Sequence, residues 1–325
     1  MNIKVGIIGA GYIASIHVKV LKIIAPSVSI FLYDTNISSA QSLAQKYDCK
    51  CINNVHDLYA ASDAVIIATP SSTHYSLVLD LLKKRKHILC EKPMSTTLYE
   101  ATAMHKLSTN NDLICAVGFN YRFTSILEIL KSEMPSFGEI SLIRISICRL
   151  FRNGWHHKEP GVLSDLGVHL IDCIRYIIGQ EIMLDKCNVN MKVNEYEDYD
   201  STVTGIMTNN VIFSLRASRT LKNEDVHFSI EVVGSKGCLK YDSRNVMTYF
   251  IERHGLIDEY NLPSPMFSND FFDFSESILK QDKEWLNAIM GIKSEKLASF
   301  YDGYQSQVIL NNFYRTNMNF NIYDK

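Results

Sequence analysis

What this 325-residue chain lacks narrows the field first. It has no surplus of positive charge: 33 Lys and Arg stand against 35 Asp and Glu, for a formal net charge of -2. Without that surplus, no cationic surface broad enough to neutralise a phosphate backbone is expected, and nucleic acid is not expected as a partner. No apolar run approaches the roughly 18–20 residues that cross a bilayer, so no membrane association is expected. The opening Met1-Asn2-Ile3-Lys4 runs straight into a strand-like apolar stretch, with no charged n-region, long apolar core or small-residue cleavage site. A cytoplasmic protein is therefore expected. The 8 cysteines are scattered, and Cys49 and Cys51 form a C-x-C pair with no second pair to complete a zinc site. Reduced, mostly buried thiols follow. Repeats, low-complexity tracts and long Pro/Gly/Ser linkers are missing too, so the domains are expected to pack together with a cleft between them.

What is present is enough apolar sequence, 46% of residues, for two cores. The first third alternates short β-rich runs at 3–8, 29–33, 64–68, 87–90 and 113–117 with segments of helical period at 13–24, 38–47, 73–84 and 98–107. That alternation predicts a doubly wound parallel sheet, a Rossmann-type α/β domain, whose strands are buried on both faces. The uniformly apolar Val65-Ile66-Ile67-Ala68 fits such a strand. From about residue 139 the pattern becomes strands with polar turns, at 141–148, 201–207, 211–217 and 228–233, which predicts a mainly antiparallel sheet. Helical segments at 163–178 and 299–314 accompany it. The expected domains are 1–120 and 121–325, with the last helix free to pack back on the first.

The glycines after the first strand carry the first functional signal. Gly9-Ala10-Gly11-Tyr12-Ile13-Ala14 is a G-x-G-x-x-A pattern opening a helix. Gly9 permits the tight turn, Gly11 clears the approach of a pyrophosphate, and Ala14 lets helix and strand pack closely. Tyr12 and Ile13, in the first helical turn, belong to the same cofactor site, where free N–H groups and the helix dipole favour phosphates. Asp34 ends the second strand at about the spacing of a ribose-binding carboxylate, and its charge favours NAD over NADP. A second reading of Asp34, as N-cap of the following helix, stays open.

Further motifs follow in order: His17 after the glycines, Ala68-Thr69-Pro70-Ser71 with His74, Glu91-Lys92-Pro93, Gly118-Phe119-Asn120-Tyr121-Arg122-Phe123, Asp165-Leu166-Gly167-Val168-His169 with Asp172, and Asp302-Gly303. Together they resemble the glucose-fructose oxidoreductase, inositol dehydrogenase and rhizopine catabolism superfamily, Gfo/Idh/MocA. The resemblance implies a Rossmann domain followed by an α/β domain with a large open, mainly antiparallel sheet. That sheet face implies a homodimer or homotetramer. The resemblance also implies that Thr69, Pro70, Ser71 and His74 wall the nicotinamide and ribose, that Glu91, Lys92 and Asn120 belong to the cofactor site, and that Lys92 contacts the substrate oxygen. The sequence departs from the family at Glu159-Pro160-Gly161, where a glycine run is common.

Oxidising an alcohol requires a group that takes the hydroxyl proton, and His169 suits it because its ordinary pKa lies near neutrality. Asp165 precedes it at i and i+4, on the same face if the stretch is helical, where it can orient the imidazole or bind a substrate hydroxyl. Lys92 is expected at the carboxyl edge of the sheet, where its cation can stabilise an alkoxide, and a cis Lys92-Pro93 bond would aim it inward. Asn120 and Arg122 bind substrate or brace the cleft. Trp155 and His156 occupy an expected substrate loop, and no metal site is expected from the adjacent His156-His157. The expected function is NAD(H)-dependent hydride transfer at a secondary alcohol of a sugar, nucleotide sugar or cyclitol. The alternatives are a reductase of a non-carbohydrate substrate and a non-catalytic dinucleotide-binding regulator.

Overall fold

The computed structural model describes residues 3–109, 112–150, 161–194, 197–221, 227–245, 248–264, 266 and 274–317. They fall into two units, Met1–Asn120 with Ser275–Gln307, and Tyr121–Phe274 with Val308–Lys325.

The first unit begins with β1 (Lys4–Ile8), α1 (Tyr12–Ile24), β2 (Ser29–Tyr33), α2 (Ile37–Tyr47), β3 (Lys50–Cys51) and α3 (Val55–Ala61). It continues with β4 (Ala64–Ile67), α4 (His74–Lys83), β5 (His87–Cys90), α5 (Leu98–Ser108) and β6 (Cys115–Val117). All six strands are parallel, in the order β3-β2-β1-β4-β5-β6. The order reverses between β1 and β4, and in such sheets the crevice beyond the carboxyl ends of these strands takes the ligand. Every residue of β4 is buried, as its apolar run requires. Local chemistry sets the helix starts: Thr97 and Glu100 form a capping box at α5, and Asn36 caps α2 by accepting from the Ser39 N–H. Asp34 is therefore not the cap of α2.

Two small elements, β3 and α3, escape periodicity because two and seven residues are too short to display it.

The second unit contains α6 (Ser125–Glu133), β7 (Ile140–Leu150) and α7 (Val168–Ile178), then β8 (Asn188–Val193), β9 (Asp198–Ile206), β10 (Ile212–Leu221), β11 (His227–Gly234), β12 (Gly237–Asp242), β13 (Thr248–Arg253) and β14 (Leu256–Asn261). The sheet order is β14-β13-β12-β11-β7-β10-β9-β8. All its pairs are antiparallel except β7 with β10. Alternation along β7 buries Ile143, Ile145 and Ile147 and turns Arg144 and Ser146 to the opposite face. Across that opposite face, Glu231 pairs with Arg144 at 2.6 Å and with Lys240 at 3.0 Å, and Asp200 pairs with Arg216 at 3.0 Å. The large open sheet expected from the sequence is present, extended by β12, β13 and β14.

Two helices complete the described chain, α8 (Phe274–Ile289) and α9 (Phe300–Thr316). In α8, Trp285 and Leu286 join the core cluster of the first unit's sheet. The sequence reading misses α8 because its buried face is half polar: Ser277, Gln281 and Asp282 are enclosed beside Ile278 and Trp285. Three of the seven buried residues of α8 are polar, which thins the apolar stripe that marks a core-facing helix.

No helix among the described residues is long and apolar enough to cross a membrane. All eight cysteines are free thiols; Cys90, Cys148, Cys173 and Cys238 are buried, and the other four only partly so.

Candidate active site

In the first unit, the chain leaves β1 through Gly9, whose φ of +109° lies where side chains are disfavoured. A Cβ there would also run into the Ala68 carbonyl oxygen at the end of β4. Gly11, the N-cap of α1, differs: a Cβ there would meet no protein atom within 4 Å. No side chain caps the first turn of α1 and no acidic residue stands in it, so its N–H groups and dipole face the open side of the glycine turn. Ala14 is buried against the sheet, while Tyr12 is 70% exposed and Ile13 partly so.

Asp34 ties into this turn. Its Oδ2 accepts from the Ala10 N–H at 2.7 Å and its Oδ1 from the Asn36 N–H at 2.7 Å. The carboxylate is thus held beside the glycines and remains partly exposed. An open glycine cradle, an uncapped helix start and an anchored carboxylate fit the pyrophosphate and adenosine ribose of NAD.

The other residues expected around the cofactor divide by burial. Thr69 is partly exposed and Pro70 exposed past the end of β4, where Thr69 Oγ1 lies 2.6 Å from Thr73 Oγ1, while Ser71 is buried. His74 is fully enclosed; its Nδ1 lies 3.0 Å from the Pro93 carbonyl and its Nε2 3.0 Å from the Thr69 carbonyl. Burial lowers its pKa, and the neutral ring has a single N–H, which it donates to one of these two carbonyls. The ring therefore lies inside the fold, between the loops that follow β4 and β5.

Glu91 is likewise drawn inward, with Oε1 3.1 Å from His17 Nε2 and Oε2 accepting from the Lys92 N–H at 3.3 Å. Lys92 itself is half-buried, and the Lys92–Pro93 peptide bond is cis. Asn120 is buried and donates from Nδ2 to Ser277 Oγ at 2.8 Å. It braces α8.

In the second unit, residues 163–178 are helical as expected, but Leu163–Gly167 forms a π-helical turn before α7 begins at Val168. Such a turn widens the spacing of the face that carries Asp165 and His169, and π turns recur at functional sites. Its entry is anchored from below. Asp198 Oδ2 accepts from the Leu163 N–H at 3.1 Å and from Ser201 Oγ at 2.7 Å, and its Oδ1 accepts from the Tyr314 hydroxyl at 2.9 Å. Burial raises the Asp198 pKa against these donors. Gly161, at φ +80°, is required there because a Cβ would overlap the Asp198 carboxylate.

His169 is buried, its ring stacked on Tyr121 with centroids 4.2 Å apart and planes within 10°. The stack fixes the plane of the imidazole. Burial raises the Tyr121 pKa, so its hydroxyl stays protonated. Asp165 is held by Arg219, whose Nη2 lies 3.0 Å from Asp165 Oδ2 and whose Nη1 lies 2.5 Å from Glu197 Oε2. Burial works against the Arg219 charge, but the two carboxylates outweigh it and raise its pKa. Arg219 sits where β10 slips register against β7, since Ser218 faces Cys148 and Leu221 faces Leu150. One extra residue there turns the side chain, as bulges beside active sites do.

Arg122 is paired inside the second unit. Its Nε and Nη2 bond both Asp172 oxygens at 2.8 and 2.6 Å, its guanidinium lies 4.8 Å from the Tyr176 ring centroid, and both charged groups are buried. It braces α7. Trp155 and His156, with Glu159-Pro160, lie outside the described residues.

Sequence reasoning misses Arg219, Glu197, Asp198 and Asp282. No motif marks them; only the bulge in β10 and the position of α8 bring them to these sites.

A family model described as an oxidoreductase family with an NAD-binding Rossmann fold, GFO_IDH_MocA, matches residues 3–119, and the GFO/IDH/MocA C-terminal domain model matches residues 133–240. The chain is 33% identical to the glucose-6-phosphate 3-dehydrogenase of Bacillus subtilis (strain 168), over 97% of each chain. It is 24% identical to the inositol 2-dehydrogenase of Rhizobium meliloti (strain 1021), over 89% of each. Among solved structures, an oxidoreductase from Agrobacterium radiobacter in complex with NAD+, L-tartaric acid and magnesium superposes with a TM-score of 0.87 at 19% identity, covering 98% of this chain and 97% of that one.

Proposed function

The chain belongs to the GFO/IDH/MocA family of NAD-binding oxidoreductases, and we propose that it oxidises, reversibly, a secondary ring hydroxyl of a sugar, sugar phosphate, nucleotide-linked sugar or cyclitol. It is a dehydrogenase acting on CH–OH groups, as its full-length relatives are named. Bound NAD+ supplies the hydride acceptor, and NADH the donor in reverse. Gly9, Gly11 and the first turn of α1, with Tyr12 and Ile13, hold the pyrophosphate, and Asp34 holds the adenosine ribose. Thr69, Pro70 and Ser71 contribute the loop beside the nicotinamide, and His74, Glu91 and Asn120 support it from within.

The observation that carries the catalytic assignment is the stack of His169 on Tyr121, one helical turn past Asp165. A ring held in one plane presents a nitrogen to the reacting hydroxyl in one direction, which is what general-base catalysis needs. His169 takes the hydroxyl proton at an imidazole nitrogen and returns it in the reverse reaction. Asp165, paired with Arg219 at 3.0 Å, accepts a hydrogen bond from a substrate hydroxyl. Lys92 places its ammonium against the reacting oxygen and stabilises the developing alkoxide.

The test is NAD+ reduction followed by absorbance with glucose 6-phosphate, myo-inositol and UDP-N-acetylglucosamine, in the wild type and His169→Ala. Turnover of at least one compound is expected, with a loss of about 100-fold or more in the variant and NADH binding retained. Undiminished turnover in a folded His169→Ala protein would remove the assigned role.

We propose that a second copy of the chain covers the outer face of the eight-stranded sheet, where Arg144, Arg216 and Lys240 stay largely exposed. Sedimentation should give a mass above the 37.0 kDa of one chain, shifted towards it by Arg216→Glu. A single-chain mass for the wild type would refute this. The eight free thiols fit work in the cytoplasm.

A further inference from the structure

We propose that His17, clamped between Asp282 and Glu91, is the positioning residue for Lys92. The inference rests on the reading of Lys92 given above, and its observations are independent of that reading.

His17 lies on α1 and has no exposed surface. Its Nδ1 lies 2.8 Å from Asp282 Oδ2 on α8, and its Nε2 lies 3.1 Å from Glu91 Oε1 just past β5. The titratable groups facing it are these two carboxylates, with Gln281 beside Asp282, its Nε2 3.5 Å from Asp282 Oδ1. A neutral imidazole has one N–H and serves one carboxylate; only the imidazolium donates to both. Burial pushes the ring toward neutrality, but the carboxylates overcome it and hold the pKa at about 10. The hub is a buried cation shared by three chain segments.

What the hub fixes is the turn that carries Lys92. The Glu91 N–H donates to the Ile67 carbonyl at 3.0 Å, so the chain still runs in line with β5 there. The Glu91 carboxylate fills the place a side chain would take at 118: a Cβ on Gly118 would lie 2.7 Å from Glu91 Oε1. Its other oxygen accepts from the Lys92 N–H at 3.3 Å. With Glu91 turned inward and locked by His17, its carboxylate holds the backbone N–H of Lys92 at the start of the bend that leads into Pro93. Without the imidazolium, two buried carboxylates repel each other and Glu91 loses its anchor.

The test reads Lys92 without any ligand. Lysines of the full chain are dimethylated with 13C-formaldehyde, the Lys92 resonance is assigned by its loss in Lys92→Arg, and its titration midpoint is compared between wild type and His17→Gln. Removing the cation leaves the carboxylates less compensated, so the Lys92 midpoint should rise by about half a pH unit or more. Lys22, on the same helix as His17 and bonded to the Asp48 carbonyl at 2.8 Å, should not move. Glu91→Gln, which keeps the side-chain shape, serves if His17→Gln fails to fold, and should also displace the Lys92 line. An unmoved Lys92 line in a folded variant, or equal movement of Lys22 that marks a general loosening of α1, would overturn the proposal. Turnover of Lys92→Ala with glucose 6-phosphate judges the role of Lys92 separately: if that variant keeps full activity, the catalytic reading fails, whatever the spectrum says of His17.

Discussion

Replacing His17 by glutamine removes a group whose contribution to stability has a defined pH window. The imidazole ionises near 6.5 in the unfolded chain and near 10 in the folded one, where Asp282 and Glu91 hold its proton. Below about pH 6.5 both states carry the proton and the stabilisation is fully present. Between 6.5 and 10 only the folded state keeps it, so stability falls as pH rises, by about 1.4 kcal/mol for each pH unit. Above 10 the contribution is gone. Across the window the loss reaches at most about 5 kcal/mol, against a typical total of about 5–15 kcal/mol for a domain. The assay is urea unfolding between pH 6 and 10.5, followed by fluorescence; Trp285 lies fully buried on α8, the helix that carries Asp282. The wild type should exceed His17→Gln most at pH 6, and the difference should shrink steadily toward pH 10. Parallel curves would show that no proton is held at His17 and would refute the imidazolium.

The two glycines of the turn should separate folding from binding. Gly9→Ala meets both a positive φ and the Ala68 carbonyl, so it should lower the thermal midpoint by several degrees or prevent folding. Gly11→Ala meets no protein atom and should leave the midpoint nearly unchanged while weakening NADH binding about tenfold or more, read by fluorescence titration. If Gly11→Ala binds NADH normally, the pyrophosphate does not lie over that turn. Asp34→Ala should weaken NADH binding and narrow the preference over NADPH by about tenfold, since the carboxylate that repels a 2′-phosphate is gone; an unchanged preference would assign the selection to another residue. Arg219→Met should reduce kcat by about tenfold or more by releasing Asp165 and Glu197 from their shared cation, and Arg219→Lys should restore only part of it because an ammonium cannot fork across two carboxylates. Equal activity in the two variants would show that the fork is irrelevant.

The candidate site residues that the sequence itself points to share one property: each is marked by neighbours close along the chain. Gly9 and Gly11 turn the backbone within one strand-to-helix connection, Asp34 ends the next strand, and Asp165 and His169 lie four residues apart. The alternation of strand and helical periods likewise displays a parallel sheet, because burial on both faces leaves short uniform apolar runs. Where the same local reasoning was applied to polar residues with two open roles, packing decided. Asp34 anchors the glycine turn and leaves capping to Asn36. Arg122 and Asp172 close on each other across 50 residues inside the second unit.

The sequence alone determined the fold class, the glycine turn after β1 and the family, since each is written in short-range spacing and residue type. Only the tertiary structure decided which charges meet. His17 and Asp282 stand 265 residues apart, and Asp165 and Arg219 stand 54 apart. Among 35 acidic and 33 basic residues, spacing cannot select such pairs. The selection comes from the packing of α8 on the first sheet and from one extra residue in β10, because a buried charge is tolerated only where the fold delivers its partner.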